Sequence, residues 1–156
     1  MVACAADIMT KAVVTVAPHN TIAQAAEMLS RNRISAAPVC APDGKLVGII
    51  SEGDLIAPFR ESKRLKRDWW LGLLVEGTEL TQAFLDYMRQ DTRSVADLMT
   101  RNVVTADKDV TITELAELMV SRGVKRIPIV ADGKPIGIVS RADIVAALAR
   151  APAMLV

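Results

Sequence analysis

The feature that most constrains this chain is that it is written twice. Setting each residue n of the 156-residue sequence against residue n+90 pairs Asp7, Met9 and Thr10 with Asp97, Met99 and Thr100. The same register pairs Val13, Val14 and Thr15 with Val103, Val104 and Thr105, and Pro38 with Pro128. Past a turn that is one residue shorter in the second copy the offset becomes 89, and GIISEGDLIA at 48–57 faces GIVSRADIVA at 137–146. A duplicated chain has to build the same supersecondary unit twice. The copies run over roughly 5–57 and 95–149, around an insert that belongs to neither.

Local chemistry orders each copy. VVTV at 13–16 is β-branched and predicts a short strand. Thr21-Ile-Ala-Gln24 and Thr111-Ile-Thr-Glu114 are capping boxes, in which the hydroxyl and the side chain three residues on satisfy orphan backbone donors. The helices that follow carry Ile22, Ala25, Ala26 and Leu29, or Ile112, Leu115, Ala116 and Met119, at helical spacing. Next come AAPVC and RIPIV, Asp-Gly turns, then LVGIIS and PIGIVS, which read as hairpins. Asp54 and Asp143 open second apolar helices. The order is β-α-β-β-α, twice, so the fold class is α/β.

Composition excludes several functions. With 51% hydrophobic residues the chain can bury a core, and a net charge of +1 provides no global field for DNA, RNA or an anionic membrane. No apolar run approaches the ~20 residues of a membrane span, and MVACAADIMT lacks the pattern of a signal peptide, so a cytoplasmic protein is expected. Cys4 and Cys40 are expected to be unpaired thiols, Cys40 in a strand. The single histidine, His19, sits in the turn Ala-Pro-His-Asn with no cluster to make a metal site or a triad, and there is no phosphate-binding G-x-x-x-x-G-K-[ST] loop. Neither catalysis nor a metal is expected.

The opening DIMT and DLMT, the strands ISAAPV and VKRIPI, and the closing G-h-h-S-x-x-D, in this order and duplicated, resemble the CBS domain first described in cystathionine β-synthase. Two in tandem resemble a CBS pair, with the repeats related by a pseudo-twofold axis. The resemblance implies two clefts that take adenosine-containing ligands (AMP, ADP, ATP, or NAD or S-adenosylmethionine), and a homodimer. The downstream protein partner is not written in the sequence. By itself Ser-x-x-Asp is an N-terminal cap. A cap and a binding site are compatible, because a helix N-terminus turns unpaired N–H groups and partial positive charge outward. In the family this aspartate holds the ribose hydroxyls and the serine lies against sugar and phosphate, roles the resemblance assigns to Asp54 with Ser51 and to Asp143 with Ser140.

The resemblance further implies composite clefts. One combines Ser51 and Asp54 with Thr105, Val124, Lys125, Arg126, Ile127 and Pro128. The other combines Ser140, Arg141 and Asp143 with Thr15, Ile34, Ser35, Ala36 and Pro38. The apolar residues and proline of each strand would face the base. On this pairing the Asp54 cleft gains Lys125 and Arg126 and is expected to prefer the more phosphorylated nucleotide, with Arg126 as the main phosphate ligand.

The expected domain plan is repeat 1 at 1–57, an insert at 58–94, repeat 2 at 95–150 and a tail at 151–156. The insert opens with the basic run Arg-Glu-Ser-Lys-Arg-Leu-Lys-Arg, continues through Trp69 and Trp70, and ends in an amphipathic segment with Leu80, Phe84, Tyr87 and Met88 on one face. Concentrated aromatics suggest docking, whereas the basic run reads as a solvated segment rather than a nucleic-acid patch. Inserts of this kind resemble those of CBS-pair proteins that carry a further C-terminal domain. Two functions from different classes remain: a sensor of adenosine ligands, and a ligand-free dimerisation scaffold acting through the Trp-rich insert. Retention of Ser-x-x-Asp in both copies favours the sensor.

Overall fold

The two hairpins differ at their turns by the one residue that the change of offset marks. In the computed structural model, which describes residues 2–61 and 92–152, strand β1 (Ala36–Cys40) turns into β2 (Leu46–Ser51), and β3 (Arg126–Ala131) into β4 (Lys134–Ser140). In the first turn Gly44 alone has positive φ (+87°) and its N–H donates to Ala41 O. In the second, Asp132 (+53°) and Gly133 (+76°) both do, the requirement of a two-residue type I′ turn. Deleting one residue has exchanged one hairpin turn for another while keeping the antiparallel pair, Arg126 opposite Ser140 and Ile127 opposite Val139.

Helices complete each repeat. Short α1 (Ala5–Ile8) precedes α2 (Ile22–Arg31), and α3 (Glu52–Glu61) follows β2. In the second repeat α4 (Val95–Leu98), α5 (Ile112–Arg122) and α6 (Arg141–Arg150) take the same places. Both expected capping boxes form: Thr21 accepts from Gln24 N at 3.1 Å and Thr111 from Glu114 N at 3.2 Å. Helix α3 runs from Glu52 through Pro58 to Glu61. Pro58 removes the bond that its N–H would have made to Asp54 O, and its ring crowds that carbonyl.

The strand expected over VVTV is reduced to a single parallel bridge, Val16 to Val39, matched by Ala106 to Ile129. Proline is the reason. Val130 N donates to Ala106 O at 3.0 Å, and the next rung toward the N-terminus would need an N–H from Pro128, which has none; Pro38 stands at the same place in repeat 1.

Compact units cut across the repeats. One holds Met1–Thr15, Cys40–Val47 and Arg101–Val156, the other Val16–Val39 and Gly48–Thr100, within the described residues. The opening segment of each repeat therefore packs on the other repeat. In the first unit Ala5 N donates to Val110 O at 2.7 Å and Ala6 N to Lys108 O at 2.9 Å, and Thr10 bridges Ile138. Its core gathers Ala5, Ala106, Leu115, Met119, Ile127, Ile129 and Val139. In the second unit Val95 N donates to Asn20 O at 2.9 Å, Thr100 bridges Ile49, and Ile22, Ile50 and Val95 are buried. Helices of four residues cannot stand alone, so α1 and α4 exist because they are docked.

Each docking has its own lock. A Cβ at Gly137 would collide with the Met9 side chain, and one at Gly48 would lie 2.9 Å from both Met99 Cγ and Thr100 O. The methionine of the opening motif and the glycine of the closing one are thus two halves of a single contact. The Trp69–Trp70 segment and the apolar face from Leu80 to Met88 lie outside the described residues.

Candidate functional site

Both Ser-x-x-Asp motifs form the same closed ring at the strand-to-helix corner. At the β2–α3 corner, Asp54 Oδ2 accepts from Ser51 N at 2.9 Å and Ser51 Oγ at 3.0 Å, and Asp54 N donates to Ser51 Oγ at 3.3 Å. The β4–α6 corner repeats this with Asp143 and Ser140 at 2.8, 3.0 and 3.3 Å. The capping function is therefore realised in both copies. Both bonds that reach the carboxylate use the same oxygen, Oδ2, so Oδ1 of each half-buried aspartate is left without a hydrogen bond among the described residues. An acid fixed at a helix start with a spare oxygen can accept hydroxyl donors from outside the chain.

A second backbone link ties each corner to a strand start. Glu52 N donates to Ser35 O at 2.9 Å, and Arg141 N donates to Lys125 O at 3.0 Å. These are equivalent bonds at equivalent positions with different side chains. One corner presents Ser35 and Glu52, the other Lys125 and Arg141, and all four residues are exposed. Neither Lys125 nor Arg141 forms an ion pair with the described residues, and Glu52 has no cation paired to it among them. The cross-repeat pairing expected from sequence would count Lys125 toward Asp54; the structure ties it directly to the Asp143 motif. That neighbourhood was not visible in the sequence, where Arg141 was counted toward the Asp143 cleft and Lys125 toward the other.

The other expected ligand-contacting residues fall into two groups. Thr15 and Thr105 are exposed, and Ile34, Val124 and Arg126 are half-buried. Pro38, Ile127 and Pro128 are fully buried and Ala36 is 7% exposed, so these side chains serve the core. A base at these strands would meet their first residues and their backbone. The composite clefts expected from sequence draw residues from both units. Within the second unit a groove of about 640 Å³ runs between α2 and α3, lined by Leu29, Arg33, Ile34, Ser35, Glu52 and Ile56 among others. It brings Ile34 and Ser35 together with Glu52 but does not include Ser51 or Asp54. A smaller groove in the first unit, about 480 Å³, carries Asp107, Asp109, Glu114 and Asp132, and contains none of the expected site residues. No group of three or more His, Cys, Asp or Glu side chains among the described residues is placed to hold a metal ion.

Hydrogen bonds and burial displace the titration of Asp7, Glu114 and Cys40. The Cys4 backbone N–H lowers the Asp7 carboxyl below its usual range, and the Thr111 N–H does the same for Glu114. Burial, with Asp43 nearby, raises the Cys40 thiol. Cys4 and Cys40 are both free thiols, and Cys40 ends β1 as expected. No helix among the described residues is long and apolar enough to cross a membrane.

Comparison with known proteins agrees with this architecture. The CBS domain family model matches residues 5–60 and 95–150. The uncharacterized protein MJ1426 of Methanocaldococcus jannaschii is 39% identical over 150 residues, covering 91% of this chain and 89% of that one. The crystal structure of CBSX2 in complex with AMP superposes with a TM-score of 0.71 at 26% identity, covering 96% and 98% of the two chains. The CBS domain pair of MJ0100, in complex with 5′-methylthioadenosine and S-adenosyl-L-methionine, does so with a TM-score of 0.71 at 25% identity over 96% and 98%. The chain spans 22% and 57% of the length of the next curated relatives. Two matched segments, two equivalent corners and this pair of solved relatives converge: the chain belongs to the CBS domain family, as a tandem CBS pair.

Proposed function

We propose that this CBS pair is a regulatory module that senses adenosine-containing ligands at its two Ser-x-x-Asp corners. The observation that carries this is the duplicated corner itself, with Asp54 and Asp143 held in the same ring and each left with a spare carboxylate oxygen. A ribose offers two adjacent hydroxyl donors to such an acid, and the N-termini of α3 and α6 direct N–H groups and partial positive charge outward, which suits phosphate. The exposed or half-buried starts of the two strands, Ile34–Ser35 and Val124–Arg126, supply apolar surface and backbone groups for the base. Solved CBS pairs bound to AMP, or to 5′-methylthioadenosine and S-adenosylmethionine, support this ligand class.

Sensing requires that the ligand favour one arrangement of the chain over another. A homodimer is the expected carrier of that response, supported by exposed apolar side chains on α5 and α6, Val120 at 85% and Val145 at 63%. Sedimentation of the purified protein with and without AMP tests it: a ligand-dependent change in assembly or shape supports relay, and an identical profile at saturating ligand would sink it.

A further inference from the structure

We propose that the two corners divide ligands by charge, and that the Asp143 corner, through Lys125 and Arg141, is the one that takes a polyphosphate. This rests on the adenosine-binding function above and adds a ligand class for each site. Both corners have the same backbone: the strand-start carbonyl of residue 35 or 125 accepts from the residue that follows the motif serine, at 2.9 and 3.0 Å. At that junction one copy has placed Ser35 and Glu52 and the other Lys125 and Arg141, a formal difference from −1 to +2. All four residues are exposed, so none is explained by core packing. Two like charges on hydrogen-bonded neighbours repel, and neither finds an ion-pair partner among the described residues. An anion between them would relieve that repulsion, and the N-terminus of the ten-residue helix α6 beside them adds to the attraction.

At the Asp54 corner the same reasoning runs the other way. Glu52 stands next to the motif serine and repels a phosphate tail, so this corner takes an adenosine ligand whose 5′ substituent is neutral or cationic, such as a thioether or a sulfonium. The expectation from sequence placed phosphate preference at Asp54, with Arg126 as the main ligand; we place it instead at Asp143, on the backbone link from Arg141 to Lys125.

The test is calorimetric titration of the full chain with ATP and with 5′-methylthioadenosine, for the wild type, Lys125→Ala/Arg141→Ala and Ser35→Lys/Glu52→Arg. Removing the cations should weaken ATP about 10- to 100-fold and flatten its salt dependence, while 5′-methylthioadenosine stays within about twofold. Transplanting them should strengthen ATP about tenfold at the Asp54 corner. Wild-type binding of both ligands that Lys125→Ala/Arg141→Ala weakens equally, or leaves alone, would overturn the division by charge while leaving adenosine sensing intact. A wild type that binds neither ligand would remove both.

Discussion

At the Asp54 corner a glutamate backbone N–H meets a serine carbonyl; at the Asp143 corner an arginine N–H meets a lysine carbonyl, at nearly the same distance. The rings that hold the two aspartates match to within 0.1 Å at each bond. Duplication has kept what the backbone and the capping chemistry require and changed what faces outward. Shared geometry implies a shared ligand core, and differing charge implies differing ligand ends. The same contrast recurs elsewhere in the pair of copies.

The largest expected effect is at the locks between opening and closing motifs. Gly48→Ala would press Cβ against Met99 and the backbone carbonyl of Thr100, and Gly137→Ala against Met9 as far back as its Cβ. Each should cost about 1–3 kcal/mol. Denaturant melts of both variants, and of Gly137→Ala with Met9→Ala, check this. Partial rescue by the methionine truncation is expected, and no rescue would mean that Met9 is not the obstacle.

A smaller effect is expected where α2 and α5 end. Helix α5 is closed by Gly123 in the left-handed region (φ +64°), while Arg33 occupies the matching place after α2 at φ +53°. A non-glycine residue pays for that conformation. Arg33→Gly should stabilise by up to about 1 kcal/mol, net of the entropy glycine loses on folding, and Gly123→Arg should destabilise. Thermal melts that moved in the opposite directions would show that side-chain contacts of Arg33 outweigh backbone strain.

The smallest effect concerns the caps. Glu114 closes the box of α5 and its carboxyl is lowered by the Thr111 N–H, while the equivalent residue in α2 is Gln24, which does not titrate. A carboxyl lowered in the folded state adds stability that is present above its unfolded value and is lost as pH falls through the folded one. Glu114→Gln should thus differ from the wild type near neutral pH and converge with it in acid, whereas Gln24→Glu should gain an acid sensitivity that α2 now lacks. Melting temperature against pH, from neutral to strongly acidic, measures both; parallel curves would contradict the assignment.

Much of this was legible in the sequence because it is periodic or capped. The offset of 90 residues exposed the duplication, the Thr-x-x-Gln and Thr-x-x-Glu boxes fixed the starts of α2 and α5, and Asp-Gly marked both turns. What sequence could not show is what comes together from afar. Met9 and Gly137 lie far apart in the chain, so the exchange of opening segments leaves no local pattern. The missing strand at VVTV followed from Pro38 and Pro128, whose effect appears only once the neighbouring segment is known. Pro38 and Pro128 are also fully buried, which their places in the sequence do not reveal. Lys125 and Arg141 were both in view, but their adjacency depended on a backbone bond across the hairpin.

The central claim is that the two aspartates bind ribose. Calorimetric titration of AMP into the wild type, Asp54→Asn and Asp143→Asn tests it most directly, because asparagine keeps an oxygen for the cap and removes the charge that strengthens bonds to the hydroxyls. Saturable AMP binding is expected and, for Asp143→Asn, whose corner accepts phosphate, a loss of about tenfold or more; any AMP held at the Asp54 corner should weaken likewise in Asp54→Asn. Absence of AMP binding by folded wild-type protein, or binding that survives both substitutions unchanged, would contradict it and leave the aspartates as helix caps alone.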